Sequence, residues 1–149
     1  MNEFIEKIAP IIKSMGMVFG YKYPSAIIAQ AVVESNYGKS ILSAKYHNYF
    51  GLRCGKSWRG KSVNMKTKEE YTAGVLTEIS DNFRVFDDIF MGVLGYFNFI
   101  GYKRYNNLKD ATSPRDYLVK IVADGYCTST RYVNTCMNVI DEYNLTEWD

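Results

Sequence analysis

Pro24-Ser25-Ala26-Ile27-Ile28-Ala29-Gln30-Ala31-Val32-Val33-Glu34 is the stretch from which the rest of the chain can be read. Proline suits the first turn of a helix, where its missing N–H costs nothing. From Ala26 to Val33 every residue except Gln30 is apolar, and a helix that is apolar nearly all round belongs in a core. Gln30 and Glu34 are four residues apart and share a face, so this buried helix carries one polar stripe that ends in a carboxylate. An isolated buried carboxylate is costly. Burial disfavours its ionised form, and the partial negative charge of a helix C-terminus pushes the same way. The pattern describes a carboxylic acid held protonated near neutral pH, the group that protonates the leaving oxygen in glycoside hydrolysis. The competing reading is a structural glutamate at a helix end, paired with a cation such as Arg84.

Outward from this helix the chain is mostly helical. Phe4, Ile5, Ile8, Ile11, Ile12 and Met15 recur at helical spacing, which predicts an amphipathic helix over 3–19, with a kink or restart at Pro10. The central helix should stop near Gly38. A short helical stretch is expected over 41–45, and the Gly- and Asn-bearing segment 46–62 reads as loop. Alternation at Val63 and Met65, with Gly74 before Val75, Leu76 and Ile79, predicts a small β-hairpin over 62–79. Asp87 or Asp88 caps a helix through Phe99. Ser113-Pro114-Arg115-Asp116 opens another, and Ser129 is the expected cap of a last helix carrying Tyr132, Cys136 and Ile140. The expected fold is mainly α (α+β), one domain spanning 1–149 with one small hairpin.

Composition narrows the function classes. The 149 residues are 47% hydrophobic, enough for a core without staples. The net charge of +2, with scattered Lys and Arg, is too mild for a nucleic-acid binder. Three widely spaced cysteines, Cys54, Cys127 and Cys136, read as free thiols, and the single His47 cannot complete a zinc site with them. No metal or other cofactor is implied, because acid catalysis on a glycosidic bond needs none. The first residues lack the basic and apolar regions of a signal peptide, and no apolar run is long enough to span a membrane. A substrate outside the membrane would then be reached by phage delivery or holin release, or by a domain cut from a larger secreted protein.

A family resemblance adds to this. Pro24-Ser25, Gln30 and Glu34-Ser35-Asn36-Tyr37-Gly38 resemble the signature of bacterial glucosaminidase domains, glycoside hydrolase family 73. His47-Asn48-Tyr49-Phe50-Gly51-Leu52 is similar to the family's Asn-Asn-Leu-Phe-Gly-Ile, and Trp58-Arg59-Gly60, Thr67 to Tyr71, Phe83 to Phe86 and Tyr126-Cys127-Thr128 follow in family order. The resemblance covers roughly residues 4–145. It implies a lysozyme-like fold with the hairpin flanking a cleft, Glu34 as catalytic acid, and hydrolysis of the β-1,4 bond after N-acetylglucosamine in bacterial peptidoglycan, as in endolysins and autolysins. The expected partner is bacterial peptidoglycan, met at the cell wall, and the chain is expected to act as a monomer.

The family draws a second glutamate from the hairpin, in a Thr-x-Glu-Tyr pattern. Here the segment reads Thr67-Lys68-Glu69-Glu70-Tyr71, one residue longer. Counting from Thr67 selects Glu69; placing Glu before Tyr selects Glu70, the preferred choice with Glu69 as the alternative. Strand neighbours face opposite ways, so one of the two should face the cleft. Inverting, retaining and substrate-assisted routes all stay open. Tyr126 matches a tyrosine near the family's catalytic centre. Tyr37, Tyr49 and Trp58, which adjoin the matched motifs, are candidate sugar platforms. Gln30 and Asn48 are candidate amide contacts, and Arg84 is a candidate to orient a carboxylate. Three other readings compete: a lytic transglycosylase or muramidase on the same scaffold, a non-catalytic peptidoglycan-binding module, and a phage tail component.

Overall fold

The computed structural model describes residues 2–149. In chain order it holds α1 (Glu3–Phe19), α2 (Pro24–Ser35), α3 (Ile41–Ala44), β1 (Ser62–Thr72), β2 (Val75–Arg84), α4 (Ile89–Ile100), α5 (Pro114–Ala123) and α6 (Tyr132–Glu142). Two 3₁₀ segments, Lys103–Asp110 and Leu145–Trp148, were not expected from the sequence, since neither has an apolar period of its own. The fold is the expected one: a helical body with a single two-stranded antiparallel hairpin.

α2 is the hub. Every residue from Pro24 to Val32 is buried, and α1, α5, α6 and the last 3₁₀ segment pack around it. Burying this run contributes about 1.5–3 kcal/mol for each Ile or Val side chain. Its N-terminus is closed from afar: the Asp149 carboxylate accepts from Ser25 N at 2.7 Å and Ser25 Oγ at 2.6 Å, which satisfies a free N–H and complements the helix dipole. The helix stops three residues before Gly38. Asn36, Tyr37 and Gly38 all take left-handed backbone, at φ 49, 57 and 75°, and Tyr37 N donates to Val32 O. This tight reversal leaves Glu34 in the last turn.

Three expectations are corrected, and one choice between alternatives is resolved. Pro10 does not split α1, which runs unbroken from Glu3 to Phe19 with no restart; Pro10 lies on the exposed face, where water can serve the carbonyl it leaves free. The hairpin continues to Arg84 rather than ending at 79, because pairing carries it: Val63 stands opposite Phe83 and Ser62 opposite Arg84. Ser80, Asp81 and Asn82 put polar side chains on both faces of that extension, so periodicity alone misses it. Asp88, not Asp87, caps α4, accepting from Met91 N at 2.8 Å. Ser129 does not cap α6, which starts at Tyr132 with no side-chain cap. Instead, Ser129 Oγ accepts from Arg131 N, and the whole 127–131 segment turns toward the hairpin. By contrast, Ser113 Oγ accepts from Asp116 N and caps α5 as expected.

Candidate active site

The groove between the hairpin and the helical body has a volume of about 530 Å³. Glu34 stands on its floor, at the end of α2, partly exposed to the opening. Burial, the largest influence, pushes its carboxyl up to about 7; a hydrogen bond from Tyr132 and the nearby Arg53 cation pull the other way. The loop opposite approaches as backbone: Gly51, at φ 65°, faces Glu34 Oε2.

Behind Glu34 lies a directed chain of buried hydrogen bonds. Tyr132 donates to the carboxylate, so its oxygen accepts from Gln30 Nε2, at 3.2 Å. Gln30 Oε1 then accepts from Tyr96 Oη at 2.6 Å. Tyr96, having donated, accepts from Tyr117 Oη at 2.6 Å. The Gln30 amide, donating through Nε2 and accepting through Oε1, sets the direction of the donors along the chain. It holds Tyr132 in place and so orients the acid. Burial raises the tyrosines Tyr96, Tyr117 and Tyr132, keeping all three as neutral phenols.

The hairpin supplies the facing wall. Along β1 the alternation places Val63, Met65, Thr67 and Glu69 on the more buried face. Glu69 forms an ion pair with Arg53 and accepts from Thr128 Oγ1 at 2.7 Å. Arg53 reaches Asp81 as well, at 3.3 Å. Glu70 is the last regularly paired residue before an irregularity in the ladder between Glu70 and Thr72. Its carboxylate accepts from Thr130 N at 3.3 Å and is held below the usual range, first by hydrogen bonding to Thr130. Both glutamates therefore border the groove, but Glu69 shares the Arg53 cation with Glu34, whereas Glu70 is tied to the 128–131 segment.

Among the sequence candidates, the structure gathers Glu34, Glu69, Glu70 and Tyr126 at the groove. The Tyr126 hydroxyl is engaged: it donates to Phe50 O at 2.6 Å, leaving its ring as the groove-facing part. Gln30 is fully buried in the chain described above, not open to a ligand. Asn48 is also buried; its Nδ2 donates to Leu52 O and Arg84 O, and its Oδ1 accepts from Leu52 N, so its amide is consumed in shaping the loop. Tyr49 packs on Phe4 and bonds His47. Tyr37 meets Tyr143 edge-on. Trp58 and Arg84 line a different cavity. Arg84 orients no carboxylate: its Nε donates to Arg53 O at 2.9 Å. The cation near Glu34 is Arg53, which sequence reasoning missed because the matched motif stopped at Leu52. Tyr132, Gly51 and Thr128 were within or beside quoted motifs, but only contact with Glu34 or Glu69 gives them a role.

Among the described residues all three cysteines are free thiols, no acidic, His and Cys group has metal-holding geometry, and no helix is long and apolar enough to cross a membrane.

Known proteins resemble this chain in sequence and in fold. Residues 9–145 match the family model described as "Glucosaminidase: Mannosyl-glycoprotein endo-beta-N-acetylglucosaminidase". The chain is 36% identical over 98% of its length to the "Probable N-acetylmuramidase" of Lactococcus lactis subsp. lactis, of which it spans 34%. It is 28% identical over 85% of its length to the "Exo-glucosaminidase LytG" of Bacillus subtilis, spanning 46% of that protein. A peptidoglycan hydrolase mutant from Sphingomonas sp. A1 shares the fold, with a TM-score of 0.84 at 24% identity, covering 99% of this chain and 97% of that one.

Proposed function

Since the chain belongs to the glucosaminidase family, we propose that residues 1–149 form one catalytic domain that hydrolyses the β-1,4 bond after N-acetylglucosamine in bacterial peptidoglycan. The chain spans about a third to a half of the curated relatives it matches, so the proposal concerns the domain. One observation carries it: an acid pushed up to about 7, on the floor of an open groove of about 530 Å³. Glu34 gives its proton to the departing glycosidic oxygen. Tyr132 and the chain behind it keep that proton aimed into the groove.

Glu69 is the better placed partner. The Arg53 cation and the Thr128 hydroxyl hold its carboxylate at the groove wall, and a carboxylate there stabilises positive charge developing on the sugar, or orients the attacking water or acetamido group. The ring of Tyr126 offers a face to a sugar. The site of action is the cell wall, where the family's relatives are named as hydrolases and autolysins.

The test is clearing of purified walls, followed by borohydride reduction and mass spectrometry of the ends. Wild type is expected to clear walls and leave glucosaminitol; Glu34→Gln is expected to do neither. Inert wild type that still sediments with walls would make this a binding module. The name of the Lactococcus relative favours one second reading, a muramidase, which muramitol ends would reveal. Anhydro-muramic ends would mark a transglycosylase.

A further inference from the structure

A second cavity of about 400 Å³ shares no lining residue with the groove. At the end of β2 the strand alternation sends neighbours to opposite faces: Phe83 lines the groove and Arg84 the second cavity. Trp58, Phe86 and Tyr102 form apolar walls, with Asn98 exposed at the mouth.

Arg84 is unusual in its surroundings. It is only 4% exposed, and its guanidinium lies over the Trp58 ring at 4.7 Å and the Phe99 ring at 5.1 Å. Among the described residues no carboxylate forms an ion pair with it. Nε is its one donor in use, to Arg53 O; the Nη groups donate to no protein acceptor, yet neither is sealed away as a buried orphan. They therefore open where Arg84 meets the cavity. A permanent cation buried without a counterion is costly. Aromatic faces offset part of that and hold the fork still, leaving its terminal donors free to grip two oxygens in a plane.

We propose that this cavity binds a carboxylate carried on a small apolar group, the free end of a short peptide, with the Arg84 guanidinium as its receptor. The charge balance favours a singly charged ligand. Lys61, the other cation at the cavity, is paired with Asp87 at 3.4 Å, and Asp87 also borders the cavity, opposing a denser anion such as phosphate. The choice of peptide rests on the proposed function: peptidoglycan strands carry short peptides with free carboxyl ends. The domain then holds the peptide at one site while Glu34 acts on the sugar at another.

The test is an NMR titration of the whole chain with N-acetyl-D-alanyl-D-alanine and with its C-terminal amide. The acid is expected to move the Trp58 indole N–H and the backbone signals of Arg84 and Phe86, leaving Gly51 and Thr128 unmoved, and the amide is expected to bind at least tenfold more weakly. Arg84→Lys, which keeps the charge and loses the fork, is expected to weaken binding tenfold or more. Asn98→Trp blocks the mouth from an exposed helix position. It is expected to abolish the shifts with an unchanged circular dichroism spectrum, and it carries the test where Arg84→Lys fails to fold. The proposal is overturned by equal binding of acid and amide, by shifts confined to the groove, by absence of any shift, by an indifferent Asn98→Trp, or by glycerol phosphate saturating at lower concentration than the peptide. The readout is binding, so an inactive Glu34 site leaves its outcome intact.

Discussion

Glu34 Oε2 faces Gly51 so closely that a Cβ on residue 51 would stand 2.8 Å from it. The glycine is needed twice, for its φ of 65° and for that approach. Gly51→Ala is expected to cost about 1–2 kcal/mol in urea unfolding, with a loss of wall-clearing rate larger than the loss of folded protein explains, because the carboxylate must move.

Stability should depend on pH through Glu34. Its folded carboxyl titrates near 7, above its unfolded value, so the folded state holds the proton more tightly. The favourable contribution is complete below the unfolded value, about 4.5, and is lost as pH rises through about 7. At about pH 8 the wild type carries a destabilisation of up to about 3 kcal/mol that Glu34→Gln lacks. Thermal unfolding of the two at acidic and alkaline pH is expected to show the variant gaining on the wild type across that interval. A constant difference would mean that Glu34 is not a perturbed acid.

The same proton governs rate. Wall clearing is expected to fall as pH rises through about 7, since the ionised acid has nothing to donate. Tyr132→Phe removes a hydrogen bond that favours the carboxylate, so the alkaline limb should move to higher pH. It also leaves Gln30 Nε2 short of an acceptor, costing about 1–3 kcal/mol.

The two hairpin glutamates separate by substitution. Glu69→Gln loosens Arg53 and removes the anion facing Glu34's side of the groove, and is expected to lower the rate by about 10²-fold or more. Glu70→Gln weakens exposed ties to the 128–131 segment, among them the one to Thr130 N, and should retain most activity in the same assay. The reverse order would assign the second role to Glu70.

Asn48→Ala should behave as a structural variant. Three hydrogen bonds to Leu52 and Arg84 disappear, with expected destabilisation of about 2–3 kcal/mol. Substrate KM for the fraction that stays folded is expected to hold. A raised KM on folded protein would return Asn48 to the groove.

How much of this could be read beforehand varies with the kind of contact. α2, its burial and its terminal acid follow from periodicity and from the preceding proline, because a helix repeats locally and a run such as Ile27-Ile28-Ala29 has no stable place in water. Ser113 as a cap was legible for the same reason: donor and acceptor are three residues apart. The hairpin beyond Ile79 was not, because its residues owe their conformation to partners such as Val63 across the turn rather than to any pattern of their own. Ser129 failed as a cap because its segment is drawn toward Glu69 and Glu70, a demand from some 60 residues away.

The sequence alone determined that a buried helix ends in a carboxyl group whose proton is hard to remove, since apolar neighbours and helix position are both written in order along the chain. Tertiary structure alone decided which side chains meet it. Arg53 and Tyr132 come to Glu34, while Gln30, Asn48 and Arg84 turn to other partners. A polar side chain's role is set by the nearest complementary group in space, and that neighbour exists only once distant segments have packed.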